Sequence, residues 1–306
     1  MESTEQPKKT IEKCFFIFGH NISHTLSPTL HNAGFQELGL PYHYSIHQTE
    51  SVDETVEEII RRDNFGGASV TFPHKLQIGM LLDSVTSCAE KIGAVNTVIV
   101  DKSSGKQRLL GDNTDWHGIK RCIEKSGVKG IQSSAALILG AGGAARAAFY
   151  ACLDLGISEV LIVNRTLSKA QAMADQFPSV ESHVIATLGD AAADRHQHKN
   201  AQKTPIRVVI ACVPADDLGK DNIPSELFAG TETGVLIEMA YRPQVTGMMA
   251  MASCYRGWKV FKGIDVLEEQ GYAQFESWTG KKAPVLAMRT ALQAKIKRNS
   301  QAKSSV

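Results

Sequence analysis

Glycines at positions 140, 142 and 143 stand between two stretches that differ in kind. Before them, Ala135-Ala136-Leu137-Ile138-Leu139 is an apolar run of the length of a buried strand; after them, Ala144-Ala145-Arg146-Ala147-Ala148 is a strong helix former. Gly140 suits a tight turn, and Gly142 lets backbone approach a phosphate with no Cβ in the way. Gly143 and Ala144 then open a helix whose first N–H groups and positive dipole end favour an anion. The spacing Gly-x-Gly-Gly-x-Ala is close to the three-glycine dinucleotide fingerprint, with a plain packing turn as the alternative. The next apolar run, 159–163, ends at Asn164-Arg165-Thr166, roughly the ~20-residue distance at which such folds meet the adenosine ribose. Asn164 brings no carboxylate for a ribose hydroxyl, whereas Arg165 can pair with a 2′-phosphate and Thr166 can donate to it. NADP is therefore expected, with NAD left open. The same residues also suit a helix cap, through Thr166 or Ser168.

Three polar clusters lie in the first third of the chain. Thr25 and Ser27, two residues apart, face the same way if their loop is extended, and paired hydroxyls suit a carboxylate or a polyol. Pro28 then opens a helix, for which Ser27 could equally be the cap. His20, His24, His31 and His43 are irregularly spaced and lack an acidic partner, so no metal site is expected. In Thr71-Phe72-Pro73-His74-Lys75, a hydroxyl and an amine follow the end of a strand. A lysine just after proline at a helix start would oppose the dipole there, which hints at a role other than helix stability. The third cluster is Asn96 together with Asn113-Thr114-Asp115, Asp115 standing just before a helix expected over 116–125. A plain helix cap is the other reading of Asp115.

The elements that must hold these residues alternate. Strands are expected at 14–18, 42–47 and 67–71, with helices over 30–38 and to residue 62, the latter opened by a capping box at Ser51-Val52-Asp53-Glu54. A hairpin is expected from 92–100 to 107–110. Further on, strands at 159–163, 208–214, 235–237 and 258–261 interleave with a helix at 167–176. Helices at 264–278 and 284–298 close the pattern, with an exposed loop at 190–205 and an unstructured tail from 300. Such alternation implies largely parallel sheets whose ligands gather at the carboxyl ends of the strands. A chain of 306 residues suggests about two domains, and with 43% hydrophobic and 21% charged residues and a net charge of +1 it is an ordinary globular composition. That balance gives no electrostatic case for nucleic acid or a membrane surface, and no run has the ~18 apolar residues of a membrane span. A cytoplasmic protein with a small-molecule partner is expected. Six scattered cysteines without a C-x-x-C pair suggest reduced, mostly buried thiols.

Taken together, Ser23-His24-Thr25-Leu26-Ser27-Pro28, Val70-Thr71-Phe72-Pro73-His74-Lys75, Gly93-Ala94-Val95-Asn96-Thr97, Asn113-Thr114-Asp115 and Gly140-Ala141-Gly142-Gly143-Ala144-Ala145 resemble the shikimate dehydrogenase family, which includes quinate/shikimate dehydrogenases. Asn164-Arg165-Thr166, Tyr241-Arg242-Pro243 and the 263–278 segment with Gln270 match in the same order. The resemblance implies an α/β fold of two domains: a substrate-binding domain over 1–115, completed by 264–306, and a Rossmann-type NADP-binding domain over 116–263. It implies that Lys75 and Asp115 form the catalytic pair, and that Thr25, Ser27, Thr71, Asn96, Asp115, Tyr241 and Gln270 line a pocket for shikimate, quinate or a related cyclic polyol acid. Cofactor contacts fall to Gly140, Gly142, Gly143, Ala144, Asn164, Arg165 and Thr166. Residue type alone would make Gln270 a solvated position on an amphipathic helix. The chemistry suits the roles: reducing a ring ketone needs a hydride at carbon and a proton at oxygen, and an ammonium supplies the proton with stabilising charge. A carboxylate beside it favours the charged amine, so Asp115 orients Lys75 and the reacting hydroxyl. The chain departs from the common pattern at Thr25, usually serine, and at Ser69, usually asparagine. Catabolic quinate oxidation and non-catalytic sensing of such metabolites are the other functions this pattern allows.

Overall fold

The computed structural model describes residues 12–103, 105–196, 204–216 and 218–304. Its chain folds as two compact units, one built from the segments up to Thr86, Val95–Asp112 and from Gly271 onward, the other from Ser87–Ala94 and Asn113–Gln270.

In the first unit, β1 (Lys13–Gly19), α1 (Ser27–Glu37), β2 (Tyr42–Gln48), α2 (Glu54–Ile60) and β3 (Phe65–Val70) follow in order, then β4 (Ser84–Val85). After α3 (Ser87–Ile92), which belongs to the second unit, come β5 (Thr97–Asp101) and β6 (Arg108–Asp112). The strand order is β2-β1-β3-β5-β6-β4. Strands β1, β2 and β3 are parallel and β4 pairs parallel with β6, but β5 runs antiparallel to both β3 and β6, so this sheet is mixed where a largely parallel one was expected. The reversal has a consequence for position. Because β5 opposes β3, with Ser69 paired to Thr97, the start of β5 lies at the carboxyl end of β3. The chain order also reverses on either side of β1, and the loops leaving β1 and β3 emerge side by side, with Thr71 N donating to Phe18 O at 2.9 Å and His20 N to Phe72 O at 3.1 Å. Such a switch point is where open α/β sheets collect ligands.

An aromatic core covers this sheet. Phe15 packs on Phe35, Tyr42 and Trp278, and Trp278 donates its indole N–H to Val98 O at 2.9 Å. Trp278 belongs to the long helix whose last turns enter this unit, so burial of this ring and of Phe275, each worth ~1.5–3 kcal/mol, fastens the C-terminal part of the chain to the first sheet.

The second unit holds α4 (Asp115–Ser126), β7 (Ala135–Leu139), α5 (Gly143–Asp154), β8 (Glu159–Val163), α6 (Leu167–Ala174), β9 (Glu181–Ile185), α7 (Leu188–His196), β10 (Ile206–Ala211), α8 (Glu226–Ala229), β11 (Gly234–Glu238), α9 (Gly247–Ala252) and β12 (Trp258–Lys262). Helix α10 (Gly263–Thr279) begins here, and α11 (Val285–Ser304) belongs to the first unit. All six strands are parallel in the order β12-β11-β10-β7-β8-β9, the doubly wound arrangement. The central strands β7 and β8 are almost wholly apolar because both faces are covered by helices, while the edge strands β9 and β12 carry charged residues.

Several expectations are corrected. The cap of α2 is Asp53, whose carboxylate accepts from Thr55 N and Val56 N, so the box beginning at Ser51 does not form. Residues 188–196 are helix, not loop, and 197–203 lie outside the described residues. The expected unstructured tail is helical through Ser304, with 305–306 outside the described residues. Residues 87–94, 113–115 and 264–270 group with the second sheet and not with the first. The reason is a close crossing: a Cβ at Gly118 of α4 would stand 2.7 Å from Val266 O and 3.0 Å from Gln270 Cβ of α10, so the start of α10 is inseparable from α4. All six cysteines are free, but only Cys122 and Cys152 are buried.

Candidate active site

The glycine turn sits where the order of the second sheet reverses. Gly140, at φ +104°, takes a left-handed conformation that a side chain would strain, and its N–H donates to Val163 O at 2.8 Å, which brings the end of β8 beside the turn. Gly142 is the cap of α5, with no side-chain bond, and the place its Cβ would occupy is open to at least 4 Å. Together with Gly143 and Ala144 this leaves an uncapped helix start above open space, a cradle shaped for a pyrophosphate. Beyond Val163, Asn164 donates its side-chain N–H to Thr166 O at 2.7 Å, and Arg165 and Thr166 are exposed. Thr166 caps α6 by position, without a side-chain bond, so its hydroxyl is not used on the helix. The edge thus offers a guanidinium and a hydroxyl and no carboxylate, which fits a phosphorylated ribose.

In the first unit the switch point gathers Thr25, Ser27, Thr71, Lys75 and Asn96. Thr25 and Ser27 hydroxyls stand 3.2 Å apart. The cap position of α1 is Leu26, so Ser27 is the first helical residue, buried, and its hydroxyl is turned to polar neighbours instead of to the helix N–H groups. It lies near the Tyr44 phenol, whose pKa burial raises and Ser69 and Ser27 partly restore. Thr71 lies between β3 and the turn that carries Lys75, accepting from His74 N at 2.9 Å. That turn is a three-residue 3-10 segment, His74–Leu76, too short for a helix dipole, so the expected electrostatic misfit of Lys75 does not arise. Its carbonyl is held instead, accepting from Val95 N at 2.8 Å, next to the buried Asn96.

In the second unit the structure brings Asp115, Gln270 and Tyr241 together. Asp115 is buried in the first turn of α4, whose cap position is Thr114; its N–H donates to Asn113 Oδ1 at 3.0 Å, and Asn113 Nδ2 donates to Ala94 O at 2.9 Å. Gln270 is buried, not solvated: its Oε1 accepts from Thr114 Oγ1 at 3.0 Å, beside Asp115. The phenol of Tyr241 is raised first by crowding around its hydroxyl and then by the Asp115 carboxylate, while half of the residue's surface stays exposed. Its loop is pinned by Glu238, buried at the end of β11, which accepts from Thr246 Oγ1 at 2.6 Å and Ala240 N at 3.0 Å. Burial raises the Glu238 carboxyl and those two donors oppose the shift.

Sequence reasoning missed a second layer in the first unit: Tyr44, Thr97 and Gln274, with Ser69 noticed only as a departure. All are buried and hydrogen-bonded to one another. Periodicity held the signal for two of them, since Gln274 is one helical turn after Gln270 and Ser69 shares a strand face with Thr71. Among the described residues, no group of three or more His, Cys, Asp or Glu side chains converges in a way that could hold a metal ion, and no helix is long and apolar enough to cross a membrane.

Comparison with known proteins adds the following. Residues 17–98 match the shikimate dehydrogenase substrate binding domain, 123–195 the shikimate/quinate 5-dehydrogenase family and 263–293 the shikimate 5′-dehydrogenase C-terminal domain. The chain is 42% identical to the pentafunctional AROM polypeptide of Malassezia globosa over 290 residues, covering 92% of this chain and 17% of that polypeptide. It therefore spans about one-sixth of the length of the curated relatives it matches. Among solved structures it is similar to the dehydroquinate dehydratase and shikimate dehydrogenase of Schizosaccharomyces pombe AroM, at 36% identity and a TM-score of 0.76, covering 92% of this chain and 52% of that one. It is also similar to shikimate 5-dehydrogenase from Thermus thermophilus in complex with NADP(H) and shikimate, at 30% identity and a TM-score of 0.74, covering 92% and 99%.

Proposed function

The chain belongs to the shikimate dehydrogenase family, and from that premise we propose that it catalyses reversible, NADP(H)-dependent hydride transfer between shikimate and 3-dehydroshikimate, as a cytoplasmic enzyme of aromatic amino acid biosynthesis. The single observation that carries the dehydrogenase reading is the second unit's turn: an uncapped α5 with open space at Gly142, and exposed Arg165 where an NAD-type edge would place a carboxylate. Gly140, Gly142, Gly143 and Ala144 would hold the pyrophosphate, and Asn164, Arg165 and Thr166 the phosphorylated ribose. Bound there, NADP(H) supplies or accepts the hydride.

The chain's own residues do the rest. Thr25 and Ser27, with Thr71 and Tyr241, donate hydrogen bonds to the carboxylate and ring oxygens of the substrate, while Asn96 and Gln270 orient ring hydroxyls. Lys75 gives a proton to the oxygen that becomes the alcohol, and takes it back in the reverse direction. Asp115, fixed by its backbone bond to Asn113, orients that ammonium and the reacting hydroxyl.

The test is a spectrophotometric assay with shikimate and with quinate, each with NADP and NAD. Shikimate with NADP should be the fastest pair. Faster quinate oxidation with NAD would shift the reading to a catabolic quinate/shikimate dehydrogenase, and no cofactor reduction with any pair would leave a sensor of such metabolites. Lys75→Ala should lower turnover about 10²–10⁴-fold with little change in cofactor affinity; a large loss of nucleotide binding instead would show the lysine misassigned.

A further inference from the structure

Asn96 stands at the end of a line of buried hydrogen bonds whose direction is set by one group. Gln274 Nε2 donates to Asn96 O at 3.2 Å, and a backbone carbonyl can only accept, which fixes the orientation of the Gln274 amide. Its Oε1 must then accept, and it does, from Ser69 Oγ at 2.9 Å. With the serine proton so committed, Ser69 accepts from the Tyr44 hydroxyl at 2.6 Å. On the other side, Nε2 also donates to Thr97 Oγ1 at 2.9 Å, which sends the threonine proton to Asn96 Oδ1 at 2.6 Å. None of Tyr44, Ser69, Gln274, Thr97 and Asn96 is more than 5% exposed, so water does not offer these groups an easy alternative.

We propose that Gln274 and Thr97 are positioning residues for substrate recognition: they hold the Asn96 amide with its carbonyl oxygen turned to Thr97, so that the group Asn96 presents to the ligand is its NH2. The inference rests on the reading of Asn96 as a residue of the substrate pocket. It adds a specificity: the ligand oxygen that meets Asn96 is bound as an acceptor, and a substrate analogue offering only a donor there is refused.

The experiment is a double-mutant cycle on the full chain, read as KM for shikimate and for NADP separately. Asn96→Ala should raise the shikimate KM, with the NADP KM unchanged. Thr97→Val keeps the shape and removes the hydroxyl; it should raise the shikimate KM about tenfold in the parent chain but by less than about twofold in the Asn96→Ala background, because there is no longer an amide to orient. Thr97→Ser, which keeps the hydroxyl, should restore parental KM. Gln274→Glu, whose carboxylate cannot donate to Asn96 O or Thr97, gives a second route should the valine variant fail to fold, and its effect should likewise vanish without Asn96. Equal effects of Thr97→Val or Gln274→Glu in both backgrounds would overturn the positioning role while leaving Asn96 in the pocket. An unchanged shikimate KM in Asn96→Ala would instead remove Asn96 from the pocket, and the inference with it.

Discussion

In the proposed reading, Arg165 bears the cofactor preference with little help from its surroundings. It is exposed at the end of β8, beside an Asn164 whose amide N–H is turned to Thr166 O and not to a ligand. Arg165→Ala should therefore weaken NADP about ten- to hundredfold while leaving NAD nearly unchanged, as measured by fluorescence titration of each nucleotide; equal weakening of both would show that the guanidinium does not meet a phosphate. The exposed place of Arg165 past the end of β8 was legible in the sequence because its setting is local: a strand end, a fixed distance from a glycine turn, and the absence of an acid. The hydroxyl pair Thr25 and Ser27 was legible for the same reason. The support behind Asn96 was not, since Ser69 and Gln274 are 205 positions apart and only the folded sheet brings them to 2.9 Å. Gln270 shows the same limit. Its residue type suggested a solvated face, and its burial against Thr114 depends on the crossing of α4 and α10.

At the level of elements, that crossing sets how much room α4 has. Gly118 lies at the end of the first turn of α4, where alanine would normally raise helix stability by up to about 1 kcal/mol. Here its Cβ would come within 2.7 Å of a backbone oxygen in α10, and a backbone cannot swing aside as a flexible side chain can. Overpacking should outweigh propensity, so Gly118→Ala is expected to lower the melting temperature by roughly 2–8 °C in a thermal scan; a raised or unchanged value would contradict the crowding. Elements whose residues pack on their sequence neighbours were read well, β8 at 159–163 among them. Those settled by competition between nearby caps were not: Ser51 and Asp53 both suit the start of α2, and the carboxylate that reaches two N–H groups prevails. The polar 190–205 stretch failed for a related reason, because its first part buries Ala191 and Ala192 on the second sheet and becomes helical despite its charges.

On the scale of the whole molecule, acid should weaken the fold through His31. The ring is fully buried, stacked on Tyr44 at 4.7 Å and against Trp278 at 4.9 Å, and neither nitrogen has a hydrogen-bond partner. Burial lowers its pKa from 6.5 to about 3, opposed in part by nearby Gln274, which approaches without hydrogen-bonding geometry. The unfolded chain therefore takes up a proton below pH 6.5 that the folded chain refuses down to about pH 3. Stability should fall through that window by up to about 1.4 kcal/mol per pH unit, and this contribution should be flat above it. Urea melts across the window should show a shallower pH dependence for His31→Phe than for the parent; identical slopes would mean that the ring is protonated in the folded protein.

Trp278 closes the first sheet, yet it is encoded after every strand of the second. The layout is nested, one lobe threaded through the middle of the other's primary structure. A ribosome reading this message completes the later sheet while Phe15 and Phe35 still await their cover. Removing the chain from Gly271 onward would accordingly uncap the hydroxyl-bearing lobe, leaving the glycine-turn lobe with all six of its strands.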